Sequence, residues 1–103
     1  TNKDDGQIKF YTSPDSGTGI QNRMTIDSSG HVLPGANNTY DLGSSSTRWR
    51  NIYTNDLNLS NKGSTNSVDN TWGDYTIQEG ESDLFLINNR NGKRYKFNLT
   101  EVL

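Results

Sequence analysis

Three consecutive serines, Ser44, Ser45 and Ser46, stand just ahead of Arg48-Trp49-Arg50. A serine nucleophile needs an imidazole base within hydrogen-bond reach and a strained turn that exposes it. The chain has one histidine, His31, and no G-x-S-x-G sequence. The serines therefore read as a turn, in which Gly43 reverses the chain and a serine caps one short helical turn over Thr47–Trp49. Arg beside Trp could stack on bases or sugars. Asp41 and Asp56 flank the triplet and no further cations gather there, so Trp49 reads as an anchor whose arginines cover its edges.

A second group with chemical potential is acidic: Asp69, Asp74, Glu79, Glu81 and Asp83. Their spacing is not that of an EF-hand calcium loop. Glu79 and Glu81 could form the carboxylate pair of a glycosidase. Alternatively the cluster pairs with Arg90, Lys93, Arg94 and Lys96 of the segment that follows. Without cysteine and with one histidine, thiolate zinc and His-based metal sites are excluded, and neither metal nor cofactor is expected. The stretch "DNTWGDYT" sets Trp72 and Tyr75 among short polar residues, as sugar-binding surfaces do. Trp72, Tyr75 and Arg90 are the candidate binding residues. The plainer reading is that Trp72 packs over the hairpin.

Only 28% of the 103 residues are hydrophobic, against roughly 45–50% in an average soluble domain. A net charge of −2 and ten aromatics nevertheless favour folding over disorder. So thin a core needs help from a metal, disulfides or other chains, and oligomerisation is the route left. No apolar run approaches the roughly 20 residues of a membrane span, and weak acidity gives no reason to expect nucleic acid. The opening "TNKDDGQ" lacks an initiator Met and a signal pattern, and reads as part of a longer or processed polypeptide.

The elements that must position these residues are strands. Ala36 is the only alanine, no helical apolar stripe is sustained, and turn-forming and β-prone residues dominate. Alternation marks "GQIKFYTS", "IQNRMTID" (Ile20, Asn22, Met24 and Ile26 together), "HVLPG", "NIYTNDLNLSN" and "DYTIQEG". Pro34 ends its strand or confines it to an edge. In "DLFLINNRNGKRYKFNL", Asn91-Gly92 predicts a two-residue type I′ turn that pairs Leu86 with Phe97 and Leu84 with Leu99. Leu84, Leu86, Tyr95, Phe97 and Leu99 then share one face, and Phe85 and Ile87 the other. The expected organisation is residues 1–60 as a β repeat region, 61–71 as a linker loop and 72–103 as a three-stranded β tip with hairpin 83–99.

Two motifs bear a resemblance. "NRMTIDSSGHVLPG" resembles the R-M-x-I-D-x-x-G-x-V unit of bacteriophage tail-fibre and tail-spike chains, through Arg23, Met24, Ile26, Asp27, Gly30 and Val32. "NNTYDLGSSSTRWRNIYT" resembles the D-L-G-S-x-x-x-R-W unit that follows it there, through Asn38, Tyr40, Asp41, Leu42, Gly43, Ser44, Arg48, Trp49, Ile52 and Tyr53. The C-terminal stretch from Trp72 is similar to the ends of structural proteins of tailed phages, cyanophages included. Leu33-Pro34-Gly35 departs from the Gly-Ile-Gly common at that point, and nothing matches the self-cleaving chaperone module of many fibres.

The resemblance implies an all-β, intertwined homotrimeric fibre segment or tip on the virion, alongside other tail proteins and facing a host surface glycan or protein. It implies no enzyme, no nucleic-acid partner and no membrane insertion. Met24, Ile26, Leu42, Trp49, Ile52, Tyr53, Leu84, Leu86, Phe97 and Leu99 are the residues expected in the shared trimer core. A purely structural head, collar or tail connector, and a tail-spike-type glycan depolymerase, are the alternatives.

Overall fold

The structure, a computed structural model, describes residues 6–15, 17 and 19–103. The fold is all-β, as the composition predicts: seven strands form two antiparallel sheets, with no helix among the described residues. The chain divides into two units, Thr1–Arg50 and Asn51–Leu103, each built on one sheet.

The first sheet holds β1 (Ile8–Thr12), β2 (Gln21–Ile26) and β3 (Val32–Pro34), with β2 in the middle. Pairs Ile8–Ile26, Phe10–Met24, Ile26–Val32 and Met24–Pro34 gather the apolar residues on one face. Pro34 lies on an edge strand, where its missing N–H removes no inner ladder bond. The sequence pattern puts Asn22 on one face with Met24, and the structure puts it on the other. Phe10 pairs with Met24 but Tyr11 pairs with Asn22, so Arg23 is an extra, bulged residue that shifts the period. Asn22 then donates from Nδ2 to the Thr25 hydroxyl at 2.9 Å. The bulged Arg23 donates to Thr12 Oγ1 at 2.7 Å and to the Tyr40 hydroxyl at 2.9 Å, tying the following segment to the sheet.

The β2–β3 turn gives the I-D-x-x-G spacing a physical cause. Asp27 N–H donates to the His31 carbonyl, Gly30 N–H donates to the Asp27 carbonyl, and Gly30 takes φ +90°. This is a three-residue hairpin loop whose last position needs the left-handed region. Asp27 Oδ1 accepts the N–H groups of Ser29 and His31, both at 2.9 Å. The His31 N–H lowers the Asp27 pKa most, and the Ser29 N–H adds to it against an opposing effect of desolvation. A depressed folded pKa means the turn gains stability above the ordinary aspartate value of about 4 and loses it as pH falls through the lower folded value. In NMR titrations the Ser29 and His31 amide shifts are expected to move with a midpoint below that ordinary value, and in Asp27→Asn not to titrate. A midpoint at or above it would contradict this account.

Residues 35–56 contain no strand. Gly43 adopts φ +85°, with the Trp49 ring beside it: a Cβ there would lie 3.5 Å from Trp49 Cδ1. The helical turn expected over Thr47–Trp49 does not form. Ser44 Oγ does accept the Thr47 N–H at 3.0 Å, as a cap would, but Ser44 N–H also donates to the Thr47 carbonyl at 2.9 Å. Together these two bonds close a tight loop.

The second sheet runs β4 (Leu57–Ser60), β5 (Asp74–Glu79), β6 (Leu84–Asn88) and β7 (Arg94–Lys96), in that order. The C-terminal sheet thus has four strands where three were expected, because Leu57 and Leu59 pair with Ile77 and Tyr75. Residues 61–71 accordingly connect two paired strands of one sheet, and the division of the chain falls after Arg50. The last hairpin also differs from its expected register by two residues, pairing Leu86 with Tyr95 and Phe85 with Lys96. Phe97 N–H bonds the Leu84 carbonyl at 3.0 Å, so Phe97 takes the place opposite Leu84 that was expected for Leu99. The cause is the loop. Asn88 N–H donates to the Lys93 carbonyl and Gly92 N–H to the Asn88 carbonyl, and only Gly92 of the Asn91-Gly92 pair has positive φ. A type I′ turn needs both. Since a two-residue slip preserves faces, Leu84, Leu86, Tyr95 and Phe97 still share one side.

No hydrophobic side chain among the described residues is buried; the buried ones are Thr25 and Thr76. Thr76 donates to Asn58 Oδ1 at 2.6 Å and accepts from Asn89 Nδ2 at 2.9 Å. The chain exposes 9404 Å².

Candidate functional site

The β4–β5 pairing and the β6–β7 loop bring the candidate contacts Trp72 and Arg90 together. Pairing of Ser60 with Asp74 sets the two ends of the intervening loop side by side. Asn61 Oδ1 accepts the Gly73 N–H at 2.8 Å, which fixes the backbone next to Trp72. From the other hairpin, Asn89 donates its backbone N–H to the Asp74 carbonyl at 2.8 Å. Asn89 Nδ2 reaches Asp74 Oδ1 at 3.1 Å. This holds the loop over β5 and aims Arg90 at the indole.

The Arg90 guanidinium carbon lies 3.8 Å from the Trp72 ring centroid, and Arg90 Nη1 donates to the Trp72 carbonyl at 3.0 Å. The Lys62 ammonium stands 5.9 Å from the same ring. Both distances are within cation–π range. Trp72 is half-buried and borders three open clefts of about 640, 670 and 450 Å³. Tyr75 lines the first and third of these, but its ring belongs to the apolar face of the sheet, opposite Leu59 and Asn88. Tyr75 and Trp72 therefore share two clefts, although Tyr75 belongs to a strand and Trp72 to the loop before it.

The wall of the 640 Å³ cleft is ordered by side chains. Asn66 Nδ2 donates to Asp69 Oδ1 at 2.8 Å, and the Thr71 hydroxyl donates to the same oxygen at 2.7 Å. These bonds, Thr71 first, hold the Asp69 carboxyl below its ordinary pKa. Lys62, Asn61 and Asn89 were not among the residues singled out in the sequence. Their only signal was position: composition marks 61–71 as a loop, and only the pairing of β4 with β5 places Lys62 beside Trp72.

The other sequence candidates lie apart from this cluster. Glu79 and Glu81 are exposed at the β5–β6 turn, where Gly80 N–H donates to the Asp83 carbonyl. Arg90, expected as a partner for the acidic group, is turned to Trp72 instead. Among the described residues no three His, Cys, Asp or Glu side chains converge. Of the expected core residues, Met24, Ile26, Leu84 and Leu86 are half-buried on sheet faces. Leu42, Trp49, Ile52, Tyr53, Phe97 and Leu99 are exposed, Tyr53 at 91% and Phe97 at 36%. Amides, hydroxyls, an indole and a guanidinium line the Trp72 clefts, and such groups recognise ligands by stacking and hydrogen bonding.

Set against protein families, curated proteins and solved structures, the chain matches none of them significantly.

Proposed function

We propose that this chain is a non-enzymatic structural component of a tailed-phage virion, a homotrimeric tail-fibre segment or tip that adsorbs to the host surface. The observation that carries the reading is a β-fold without a single buried apolar side chain among its described residues. Such a chain gains its missing burial from neighbours, and intertwined fibre strands supply it. The turn at Asp27–Gly30 and the loop at Gly43 give the two fibre-like motifs a structural reason for their fixed residues. Adsorption then works by multivalency: three weak contacts on one rigid fibre act as a strong one. Trp72 with Arg90 is the contact surface.

One observation favours the connector reading, in which no receptor is touched. The indole face nearest Arg90 is already occupied by its guanidinium at 3.8 Å. Binding of the fluorescently labelled chain to a panel of bacterial strains, cyanobacteria among them, separates the two. Saturable binding that Trp72→Ala weakens about tenfold or more is expected for a multivalent aromatic contact. Absence of binding to every strain, with a trimeric mass of three times 11.5 kDa, would leave the connector. Loss of capsular polysaccharide on incubation, abolished by Glu79→Gln or Glu81→Gln, would instead demand a depolymerase.

A further inference from the structure

We infer that Trp72 is a stacking platform for a sugar that carries a carboxylate, a uronic acid, with the Lys62 ammonium as the partner of that charge. The inference rests on the reading that the chain adsorbs to a surface through Trp72, and it names what the site takes.

The two cations at the indole are held differently. The Arg90 guanidinium carbon lies 3.8 Å from the ring centroid and Arg90 Nη1 is tied to the Trp72 carbonyl at 3.0 Å, so one side of the ring is covered by a group already bonded. The Lys62 ammonium stands 5.9 Å from the centroid, at the outer limit of cation–π range. Arg90 and Lys62 border different clefts. The one of about 450 Å³ is lined by Arg90 without Lys62, and the one of about 670 Å³ by Lys62 without Arg90. The cations therefore approach the indole from different sides, and the side toward Lys62 is the one left for a ligand.

The backbone at Lys62 is fixed while its side chain is free to move. Ser60 Oγ accepts the Lys62 N–H at 3.2 Å, and Ser64 N–H donates to the Asn61 carbonyl at 2.8 Å, closing a turn in which Gly63 takes φ +88°. The Lys62 side chain is exposed, and its flexible stem lets the ammonium meet a charge above the ring without moving the loop.

The lining of the Lys62 cleft selects the ligand class. Ser64 and Thr65 border it, and among the described residues no carboxylate does. Asp69, the acidic residue of this loop, lines the cleft of about 640 Å³ instead, where Asn66 Nδ2 and the Thr71 hydroxyl hold its Oδ1 at 2.8 and 2.7 Å. The ammonium thus faces a cleft whose own wall does not neutralise it. A pyranose offers C–H groups to the electron-rich ring and hydroxyls to Ser64 and Thr65, each of which both donates and accepts. A carboxylate on the same sugar completes the match at Lys62. An acidic peptide would meet Lys62 but brings no hydroxylated ring, and a nucleic-acid strand needs a run of cations where this cleft has one.

The test uses the whole chain with short uronate fragments of gluco, galacto and manno configuration, each beside its methyl ester, which keeps the ring and removes the charge. NMR follows the Trp72 indole N–H, with the Trp49 indole as reference. At least one uronate is expected to shift the Trp72 signal saturably and to bind about fivefold tighter than its ester, the scale of an exposed ion pair. Lys62→Gln, at an exposed position, should bring the acid down to the affinity of the ester, and so should high salt. Equal binding of acid and ester, or a preference that Arg90→Gln removes and Lys62→Gln does not, would overturn the assignment of the charge to Lys62. A Trp72 signal unmoved by every fragment, while the labelled chain still binds cells and Trp72→Ala weakens that binding, would overturn the uronate and leave adsorption through Trp72 standing. Binding to neither fragments nor cells would overturn both.

Discussion

The thermal midpoint of the wild-type chain is expected to rise by about 4 °C for each tenfold increase in its concentration. The number follows from the proposed coupling of folding to trimer formation. A tenfold change in concentration shifts the balance between a folded trimer and three unfolded chains by about 2.7 kcal/mol, or about 0.9 kcal/mol per chain. Unfolding entropy for 103 residues is about 0.2 kcal/mol/K, and the ratio gives the shift. The structural basis is the missing core. Burial of apolar surface is the dominant favourable term in folding, yet among the described residues no apolar side chain is fully buried in one chain. A chain without a single buried apolar side chain among its described residues has little to hold it folded alone, so under this reading folding and association should appear as one transition. Circular dichroism melts across two decades of concentration measure this directly. A midpoint that does not move would mean that each sheet is stable alone, and the trimer would lose its thermodynamic reason.

The second large effect is expected at Gly35. Gly35 N–H donates to the Arg23 carbonyl at 2.9 Å, which continues the β2–β3 ladder past Pro34. A Cβ on Gly35 would overlap the Asn22 carbonyl oxygen and sit 2.6 Å from its carbon. These are backbone atoms of the central strand at the Arg23 bulge, and they cannot swing aside as a side chain could. Gly35→Ala should therefore destabilise the first sheet by about 2–3 kcal/mol, the scale of overpacking in a tight site. Gly6→Ala, with nothing within 4 Å of its Cβ, is the control and should be near neutral. Melts of the two variants at one protein concentration make the comparison. Equal midpoints would show that β3 can shift away from β2 at little cost.

Both expectations concern features that differ in how visible they are along the chain. The Asp27–Gly30 turn is legible because it is local: a carboxylate reaches N–H groups two and four residues on, and a glycine takes the left-handed position. The edge position of Pro34 follows equally from chemistry carried by one residue. The register of the last hairpin was not legible. Asn91-Gly92 is a strong local turn signal, but Asn89 is drawn to Asp74 and Thr76 of a different hairpin, and that pull lengthens the loop. The bulge at Arg23 escapes a pattern of alternation for the same kind of reason. Its bonds go to Thr12 and Tyr40, eleven and seventeen residues away.

The candidate site divides in the same way. Trp72 and Arg90 stand out as residue types suited to recognition, but their contact at 3.8 Å depends on two hairpins meeting. Lys62 enters only because β4 joins the second sheet, a pairing that the strand pattern of 57–60 permits and does not specify. The core residues show the limit most clearly. Periodicity assigns Leu84 and Leu86 to one face, yet Ile77 and Leu57 complete their row through pairings across as many as twenty residues.

The sequence by itself determined that this chain is β-structured, that its turns fall at Gly and Asn, and that it is too polar to enclose a core. Those properties arise from backbone preference and composition, which each residue carries wherever it sits. Which strands pair, which residue is bulged, and that Arg90 rests on Trp72 were decided only in the tertiary structure. Such choices are made between segments competing for the same hydrogen bonds and the same covered face, and that competition leaves no mark on any single stretch of chain.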